Sequence, residues 1–259
     1  MTRVTSTFPV RTGPPLTLAG WLRHDRIRRL LPECGEVCSV VEIGAGEGAL
    51  AVRLASVYDY TGIEPDLRAR QTAQRRLATL DQGERILRDL SQLDPQLRFD
   101  LVCAFEVLEH IEDDEAALRE WRRLAQPSGM LLLTVPAGRR RFGPADVHVG
   151  HHRRYEKDDL RRLLEGAGFR IMRLECFGFP LGYLLGPLRH VVAAHSRQEL
   201  DAADGSGGSG RWLQPSERLA WATRLVTVPF RVIDRVLPPG TPGTSLIALA
   251  SRDQRPDHV

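Results

Sequence analysis

Lysine is almost absent from this chain, and its few cysteines form no framework. Lys157 is the only lysine among 259 residues, so arginine carries nearly all of the positive charge. The four cysteines have neither the spacing of a zinc site nor that of a disulfide scaffold. Cys38 and Cys103 fall within apolar runs, which predicts small core side chains. Composition therefore argues against a disulfide-stabilised domain and a cysteine-ligated metal centre.

Long apolar runs are missing as well. Residues 1–15 lack the apolar core of a secretory signal, and no uninterrupted apolar run reaches the roughly 18 residues of a membrane span. Net charge is only +3, and the basic residues are spread along predicted helices instead of clustering with aromatics, as a nucleic-acid site requires. We therefore expect a cytoplasmic protein with no nucleic-acid partner.

A glycine-rich turn is the most informative feature of the sequence. The apolar run 37–43 predicts a buried parallel strand, and residues 49–55 predict a helix. Between them lie Gly44, Gly46 and Gly48, which allow a tight turn and a close approach of the backbone to a ligand. Strand, glycine turn and helix together predict the first unit of a nucleotide-binding α/β sheet.

The glycine spacing alone leaves two cofactors open. The run Gly44-Ala45-Gly46-Glu47-Gly48-Ala49 fits a dinucleotide fingerprint, which favours an NAD(P)-dependent oxidoreductase. With Glu42 it also fits E-x-G-x-G-x-G, which resembles motif I of the class I S-adenosylmethionine (SAM) dependent methyltransferases.

Acidic residues follow the next predicted strands. Glu64 comes 20 residues after Gly44, where Rossmann-like folds place an acid on the ribose hydroxyls. Asp89 ends the predicted strand 84–90, and Glu106 follows the predicted strand 98–105. A nicotinamide enzyme has no requirement for acids at both of the last two positions.

The whole run from Val37 to Pro136 resembles a class I SAM-dependent methyltransferase. Five motifs in order carry the resemblance: the glycine turn, Glu64, Asp89-Leu90, the strand at 99–102 and the segment 127–132. The family places acids on the amino-acid end, the ribose and the adenine of SAM. The cofactor-binding residues that the resemblance implies are Glu42, Gly44, Ala45, Gly46, Gly48, Glu64, Pro65, Asp89, Leu90 and Glu106.

The resemblance implies an α/β fold of the Rossmann-like type. Its sheet would have seven mostly parallel strands with helices on both faces, and the last strand would insert antiparallel between the fifth and sixth. We expect a flexible N-terminus at 1–15, a SAM-binding core at 16–177, a helical insertion at 178–243 and the final strand at 244–251. A glycine-serine segment at 204–210 predicts a flexible linker within the insertion.

Candidate catalytic residues follow the fourth and fifth strands. His110 lies after the fourth strand, beside the expected methyl group, and histidine can accept a proton near neutral pH. Asp146, His151 and Tyr155 belong to a loop that resembles the one over the active-site mouth in a subgroup of the family. We predict catalytic roles for His110, His151 and Asp146 and a substrate contact for Tyr155, with pocket shaping and loop ordering as alternatives.

A metal site is the less favoured interpretation of these residues. The run Glu106-Val107-Leu108-Glu109-His110 is similar to one that binds a divalent metal in quinone-biosynthesis and small-RNA methyltransferases. The same run occurs in many metal-free relatives, so no metal is predicted. The histidine-rich loop resembles a zinc site in composition, but its resemblance to the active-site loop of a methyltransferase subgroup disfavours zinc.

The insertion is the expected source of acceptor selectivity. Trp221, Leu225, Val228, Val232 and Val236 form an apolar stripe on a predicted helix from 212 to 237. The apolar content predicts a lid over an apolar or aromatic acceptor, with peripheral membrane contact and packing on the sheet as alternatives.

The predicted function is methyl transfer from SAM to a small molecule. Oxygen is the expected acceptor atom, in bacterial secondary or lipid and sugar metabolism. The two alternatives are the NAD(P) oxidoreductase and a SAM-binding partner protein without turnover.

Overall fold

A computed structural model describes residues 13–34, 37–186, 220–238 and 240–253. The predicted flexible N-terminus lies outside this part of the chain except for residues 13–15. The predicted linker at 204–210 and the beginning of the helix predicted at 212 also lie outside it.

A seven-stranded sheet forms the centre of the fold, in the order β3-β2-β1-β4-β5-β7-β6. The five strands from β1 to β5 pair in parallel. The strands are β1 (Ser39–Ile43), β2 (Asp59–Ile63), β3 (Ile86–Leu87), β4 (Phe99–Phe105), β5 (Ala125–Pro136), β6 (Phe169–Phe177) and β7 (Ser245–Arg252).

The last strand confirms the predicted topology. β7 lies between β5 and β6 and pairs antiparallel with both, with Leu132 opposite Leu249 and Leu174 opposite Ala248. Residues 246–250 of β7 are buried, as expected for a strand inside a sheet that is covered on both faces.

Helices cover both faces of the sheet. The described helices are α1 (Leu18–Leu30), α2 (Ala51–Ala55), α3 (Leu67–Leu77), α4 (Asp114–Leu124), α5 (Pro144–His148), α6 (Lys157–Gly166), α7 (Ala220–Val226) and α8 (Val228–Val236). Apolar residues of α1, α2 and α3 pack on one face, and those of α4 and α6 pack on the other. Within the described residues, no helix has both the length and the apolar character needed to span a membrane.

Three local predictions are corrected. The strand predicted at 84–90 has only two residues, Ile86 and Leu87, because 3₁₀ turns occupy both sides of it. The single helix predicted from 212 to 237 is interrupted at Thr227, and Pro229 lies in the first turn of α8, where proline is tolerated. Cys38 is exposed and precedes β1, whereas Cys103 is buried as predicted.

Candidate active site

A large cavity opens at the carboxyl ends of the parallel strands. Its volume is about 2270 Å³, above the roughly 300–1,000 Å³ of an ordinary ligand pocket. It therefore has room for a cofactor and a second molecule. The predicted site residues that line it are Glu42, Gly44, Ala45, Gly46, Glu64, Pro65, Asp89, Leu90, Glu106, His110 and His151.

The glycine turn presents bare backbone to this cavity. Gly44 and Gly46 have φ values of +74° and +57°, a region that other residues enter only at a cost. A Cβ at Gly44 would lie 2.4 Å from Val107, whereas a Cβ at Gly46 would meet no atom within 4 Å. The open side of Gly46 is thus where a ligand can approach the turn.

Gly48 has a different role from the one predicted. It does not line the cavity, and a Cβ at this position would lie 2.9 Å from the Cα of Ala73 in α3. Its φ of +81° and this contact show that Gly48 permits α3 to pack closely against the turn.

Glu42 is a buried carboxyl at the end of β1. It accepts a hydrogen bond of 2.6 Å from the hydroxyl of Tyr60. Burial raises the pKa of Glu42 to about 8, although the Tyr60 hydrogen bond acts in the opposite direction. A cationic ligand group beside it would favour the ionised form.

Glu64 connects the second strand to the glycine turn. One carboxylate oxygen accepts from the amide of Gly46 at 2.7 Å, and the other accepts from the amide of Asp66 at 2.9 Å. Burial raises the pKa of Glu64, and these two backbone donors oppose the shift. The carboxylate is therefore fixed at the edge of the cavity before any ligand arrives.

Asp89 lies at the exposed end of the cavity. Its carboxylate accepts from the side chains of Ser91 and Arg88, and these contacts lower its pKa. Leu90 and Pro65 line the wall on the same side, after β3 and β2.

Glu106 follows β4 with a φ of +58°, a left-handed conformation that is strained for a residue other than glycine. One carboxylate oxygen lies 3.3 Å from the guanidinium of Arg23, which reaches the cavity from α1. The other oxygen is buried and has no hydrogen-bond partner.

Two histidines meet beyond the end of β4. The rings of His110 and His151 are 4.7 Å apart, edge to face. His151 Nδ1 lies 2.9 Å from a carboxylate oxygen of Asp146. If Nδ1 carries the proton and donates a hydrogen bond to Asp146, the lone pair is on Nε2, which lies 3.7 Å from an oxygen of Glu109.

Asp146 is positioned behind His151 and does not line the cavity. Its carboxylate also accepts from the guanidinium of Arg154 at 2.8 Å and from the amide of Gly143 at 3.0 Å. Burial opposes ionisation, yet the hydrogen bonds from His151 and Arg154 lower the pKa of Asp146 to about 2. The predicted catalytic role of Asp146 is corrected: its carboxylate does not reach the cavity, and it contacts two residues that do, His151 and Arg154.

Glu109 is fully buried, and neither of its carboxylate oxygens has a hydrogen-bond partner. Burial raises its pKa well above the usual range, and the nearby Glu106 adds to the shift. One of its oxygens lies 3.7 Å from His151 Nε2. Ligand atoms of Glu109, His110 and His151 lie within 4.8 Å of one another, so these residues, rather than the group with Glu106, have the spacing to hold a cation.

Tyr155 is buried and turned away from the cavity. Its hydroxyl lies 3.0 Å from the carboxylate of Asp114, to which it donates, and its backbone pairs with Ala137. The structure does not support the predicted substrate contact. Tyr155 holds the loop that carries Asp146 and His151 against the end of β5.

Residues 19–174 match a family model described as a methyltransferase domain. The chain belongs to this family. A relative in Mycobacterium tuberculosis, named as a probable S-adenosylmethionine-dependent methyltransferase, is 29% identical over 232 residues, covering 86% of this chain and 80% of that protein. The 27-O-demethylrifamycin SV methyltransferase of Amycolatopsis mediterranei is 32% identical over 127 residues, covering 44% of this chain and 46% of that protein.

Solved structures share the fold of this methyltransferase. An S-adenosylmethionine-dependent methyltransferase from Mesorhizobium loti has a TM-score of 0.56 at 17% identity, and the match covers 91% of this chain and 100% of that one. The [4+2]-cyclase SpnF has a TM-score of 0.57 at 21% identity, covering 88% of this chain and 80% of that one. Because a cyclase shares this fold, the fold alone does not define the reaction.

The family membership confirms SAM as the cofactor and removes the nicotinamide enzyme that the glycine spacing left open. The cavity fits SAM chemically, because SAM offers an ammonium, two ribose hydroxyls and an adenine amine. Acids at the ends of β1 and β2 and after β3 and β4 can accept from those groups.

Sequence reasoning missed three arginines of the site. Arg23, Arg141 and Arg154 all line the cavity, and Arg141 lies 3.8 Å over the ring of Tyr183. Arginine is so common in this chain that composition gave no signal for them. The three consecutive arginines at 139–141, placed directly after β5, were the one pattern that could have indicated a charged wall.

Proposed function

We propose that this methyltransferase transfers the methyl group of SAM to an oxygen of a small molecule, with His151 as the base. The single observation that carries the proposal is the hydrogen bond of 2.9 Å between His151 Nδ1 and Asp146, at the cavity wall. A carboxylate with a depressed pKa holds the imidazole in one tautomer and stabilises the imidazolium after it accepts a proton. A hydroxyl acceptor needs such a base, whereas the sulfonium leaving group needs no acid.

The cofactor half of the proposal assigns one partner to each group of SAM. Glu42 faces the ammonium, Glu64 accepts from the ribose hydroxyls, and Asp89 accepts from the adenine amine. The open face of Gly46 and the fixed carboxylate of Glu64 support this orientation. Methyl transfer is an in-line displacement, so fixing both reactants supplies most of the catalysis.

The acceptor half is proposed to take an apolar or aromatic molecule. Phe177, Leu181 and Leu185 line the cavity, and Thr223 of α7 joins them. These contacts support the division into a core at 16–177 and 244–251 and an insertion at 178–243 that acts as a lid over the acceptor. The rifamycin-related name of one relative, which includes 27-O-demethyl, is consistent with an O-methyltransferase of bacterial secondary metabolism.

The test begins with the acceptor. Purified protein is incubated with methyl-labelled SAM and a panel of phenols, catechols, hydroxylated polyketides and sugars, and labelled products are assigned by NMR. Methylation of an oxygen supports the proposal, and a product labelled on nitrogen or carbon contradicts it.

The base is tested with the best acceptor from that panel. His151→Ala should lower kcat by about 100-fold or more, the usual contribution of general-base catalysis. His152→Ala is the matched control, because its ring is exposed and next in sequence. If both variants keep the wild-type kcat, His151 is not the base.

A cation that holds the acceptor oxygen is the second candidate mechanism, favoured by the two unpartnered oxygens of buried Glu109. Glu109, His110 and His151 would be its ligands, a set that borderline divalent metals accept. Chelation followed by addition of Mg²⁺, Mn²⁺ or Zn²⁺ separates the two mechanisms. Activity that is lost and then restored by one metal favours the cation, and activity unchanged by chelation favours the base.

A further inference from the structure

The outer surface of α7 and α8 is apolar, in contrast to the inner surface that packs on α1. Trp221 is 65% exposed, Val232 50% and Val236 75%. With Leu225 and Val228 they recur at intervals of three and four residues, so they form one continuous stripe across both helices. We call these five residues the apolar stripe.

The inner surface of the two helices carries polar side chains that are hydrogen-bonded to α1. The carboxylate of Asp234 accepts a hydrogen bond of 2.6 Å from the guanidinium of Arg26, and the hydroxyl of Thr223 accepts one of 3.3 Å from the indole of Trp21. These buried contacts fix the rotation of α7 and α8 about their axes. Turning the helices to bury the apolar stripe would separate Asp234 from Arg26 and leave its charge unpaired. The stripe is therefore held outward by the fold.

An arginine-lined pocket lies beside the apolar stripe. Its volume is about 220 Å³, and two stripe residues, Val228 and Val232, belong to its wall. The remaining lining residues are His24, Asp25, Arg28, Arg224, Arg231 and Arg235. We call it the arginine pocket.

Positive charge in the arginine pocket is poorly compensated. Asp25 is its only carboxylate, and it already pairs with Arg235 and with Arg29. Within the described ranges, no carboxylate lies within 4 Å of Arg28, Arg224 or Arg231. His24 adds no positive charge of its own, since burial and the neighbouring arginines lower its pKa to about 3.

The like charges are held close together against a single ring. The guanidinium carbons of Arg224 and Arg231 lie 5.8 and 5.7 Å from the centroid of Trp21, and that of Arg53 lies 5.6 Å away. Arg231 Nε is buried without a hydrogen-bond partner. Guanidinium groups with free donors are the preferred protein ligands of phosphate oxygens.

We infer that the apolar stripe and the arginine pocket together dock this enzyme on an anionic phospholipid surface. Lipid phosphates occupy the arginine pocket, and Trp221, Val232 and Val236 enter the boundary between headgroups and acyl chains. A second copy of the chain is a poor occupant, because a symmetric contact through this face would bring two arginine pockets together. A nucleic acid could bind the arginines through its phosphates, but it would leave the apolar stripe exposed to water.

The docking surface is adjacent to the active site. Thr223 lines the active-site cavity and Arg224, the next residue, lines the arginine pocket. In α1, Arg23 faces the cavity while His24 and Asp25 face the pocket. Docking would therefore bring the cavity close to the lipid surface without requiring any membrane-spanning helix.

The experiment is co-sedimentation of the 259-residue chain with vesicles. Vesicles of phosphatidylcholine with 30% phosphatidylglycerol are compared with pure phosphatidylcholine at low and high salt. We expect binding to the anionic vesicles, at least tenfold weaker binding to the neutral ones, and loss of binding at high salt. Arg28→Gln with Arg231→Gln should weaken binding about 30-fold, since each arginine near an anionic surface is worth roughly fivefold.

Controls separate docking from charge alone. Arg75→Gln with Arg119→Gln removes the same charge from exposed positions on α3 and α4, and it should leave vesicle binding within about twofold of wild type. Val232→Ser should weaken binding severalfold with little effect on the melting temperature, because the side chain is half exposed.

Three results would overturn the inference. The first is no binding to anionic vesicles. The second is a dimer in light scattering that Val232→Ser dissociates. The third is tight calorimetric binding of inorganic phosphate alone, abolished by Arg28→Gln and Arg231→Gln, without any vesicle binding.

Discussion

The two sides of the active-site cavity are lined by different ionisable side chains. Along the sheet order, the positions at the ends of β3, β2, β1 and β4 supply acids: Asp89, Glu64, Glu42 and Glu106. After β5 the wall changes to histidine and arginine, with His151, Arg141 and Arg154. The acids suit a ligand that is rich in hydrogen-bond donors and cationic, and the basic wall suits an acceptor that must lose a proton.

The two sides are also built differently. Each acid stands within two residues of the end of a strand, so the sheet fixes its position. The basic wall belongs to the loop at 137–155, which depends on Asp146 and Tyr155 for its shape. The comparison therefore predicts a clean division: changes on the acidic side alter cofactor affinity, and changes on the basic side alter turnover.

The largest effect should come from Asp146→Asn. An amide at this position can donate to His151 Nδ1 and favour the wrong tautomer, so kcat should fall about 100- to 1,000-fold. Calorimetry should find the dissociation constant of S-adenosylhomocysteine within about twofold of wild type. Asp114→Asn is the matched control, because that acid pairs with Arg153 and Tyr155 in the same region. Equal losses of cofactor affinity and of kcat in Asp146→Asn would contradict the proposal that the basic side affects turnover and not cofactor affinity.

Glu64→Gln should have the next largest effect, on the opposite side. The variant keeps the size of the side chain but loses the charge that accepts from the ribose hydroxyls. We expect S-adenosylhomocysteine to bind about 30-fold more weakly, in the range of one or two charge-assisted hydrogen bonds. Calorimetry measures this, and Glu47→Gln, in the same turn but paired with Arg76, should change the affinity less than threefold. If Glu64→Gln binds S-adenosylhomocysteine as tightly as the wild type does, Glu64 does not contact the cofactor.

A smaller and pH-dependent effect is expected at Glu42. Its pKa of about 8 means that the free protein holds this proton at pH 7, and the ammonium of the cofactor favours its release. Calorimetry at pH 7 in buffers of different ionisation heat should detect proton release on binding, which Glu42→Gln should abolish. Cofactor affinity of the wild type should rise as the pH increases toward 8, and a flat profile would contradict this role.

Stability provides an independent check on the same carboxyl. Its folded pKa is above the usual 4.5, so the folded protein binds this proton more tightly than the unfolded chain does. The favourable contribution is complete below pH 4.5 and is lost as the pH rises through about 8. The free energy of unfolding of Glu42→Gln, measured with urea, should therefore rise relative to that of the wild type as the pH increases from 4.5 to about 8. If it does not rise, the pKa of Glu42 is close to its usual value.

The division between the two sides also explains what the sequence could predict. Glu42, Gly44, Gly46 and Glu64 lie in short motifs whose positions follow from where a strand ends, and the structure brings all four to the cavity. The hydrogen bond between Asp146 and His151 depends on the turn of α5, which no spacing rule defines.

Two errors have the same physical origin. Gly48 continues the glycine pattern but faces Ala73, and Tyr155 follows the histidine loop but turns inward to Asp114. In both cases the pattern was correct and the direction of the residue was not, because direction is decided by tertiary packing. Arg23 was missed for a related reason: only the fold brings α1 to Glu106, more than 80 residues away in sequence.

The smallest expected effect tests whether Tyr155 belongs to the basic wall or only supports it. Tyr155→Phe removes the hydroxyl that donates to Asp114 but keeps the buried ring, so the free energy of unfolding should fall by about 1 kcal/mol. Urea unfolding measures this change, and kcat and KM for the acceptor should stay within about threefold of wild type. A large rise in KM without loss of stability would restore the substrate contact that the sequence predicted. A fall in kcat that follows the loss of stability would show instead that the loop must stay fixed to hold His151 in place.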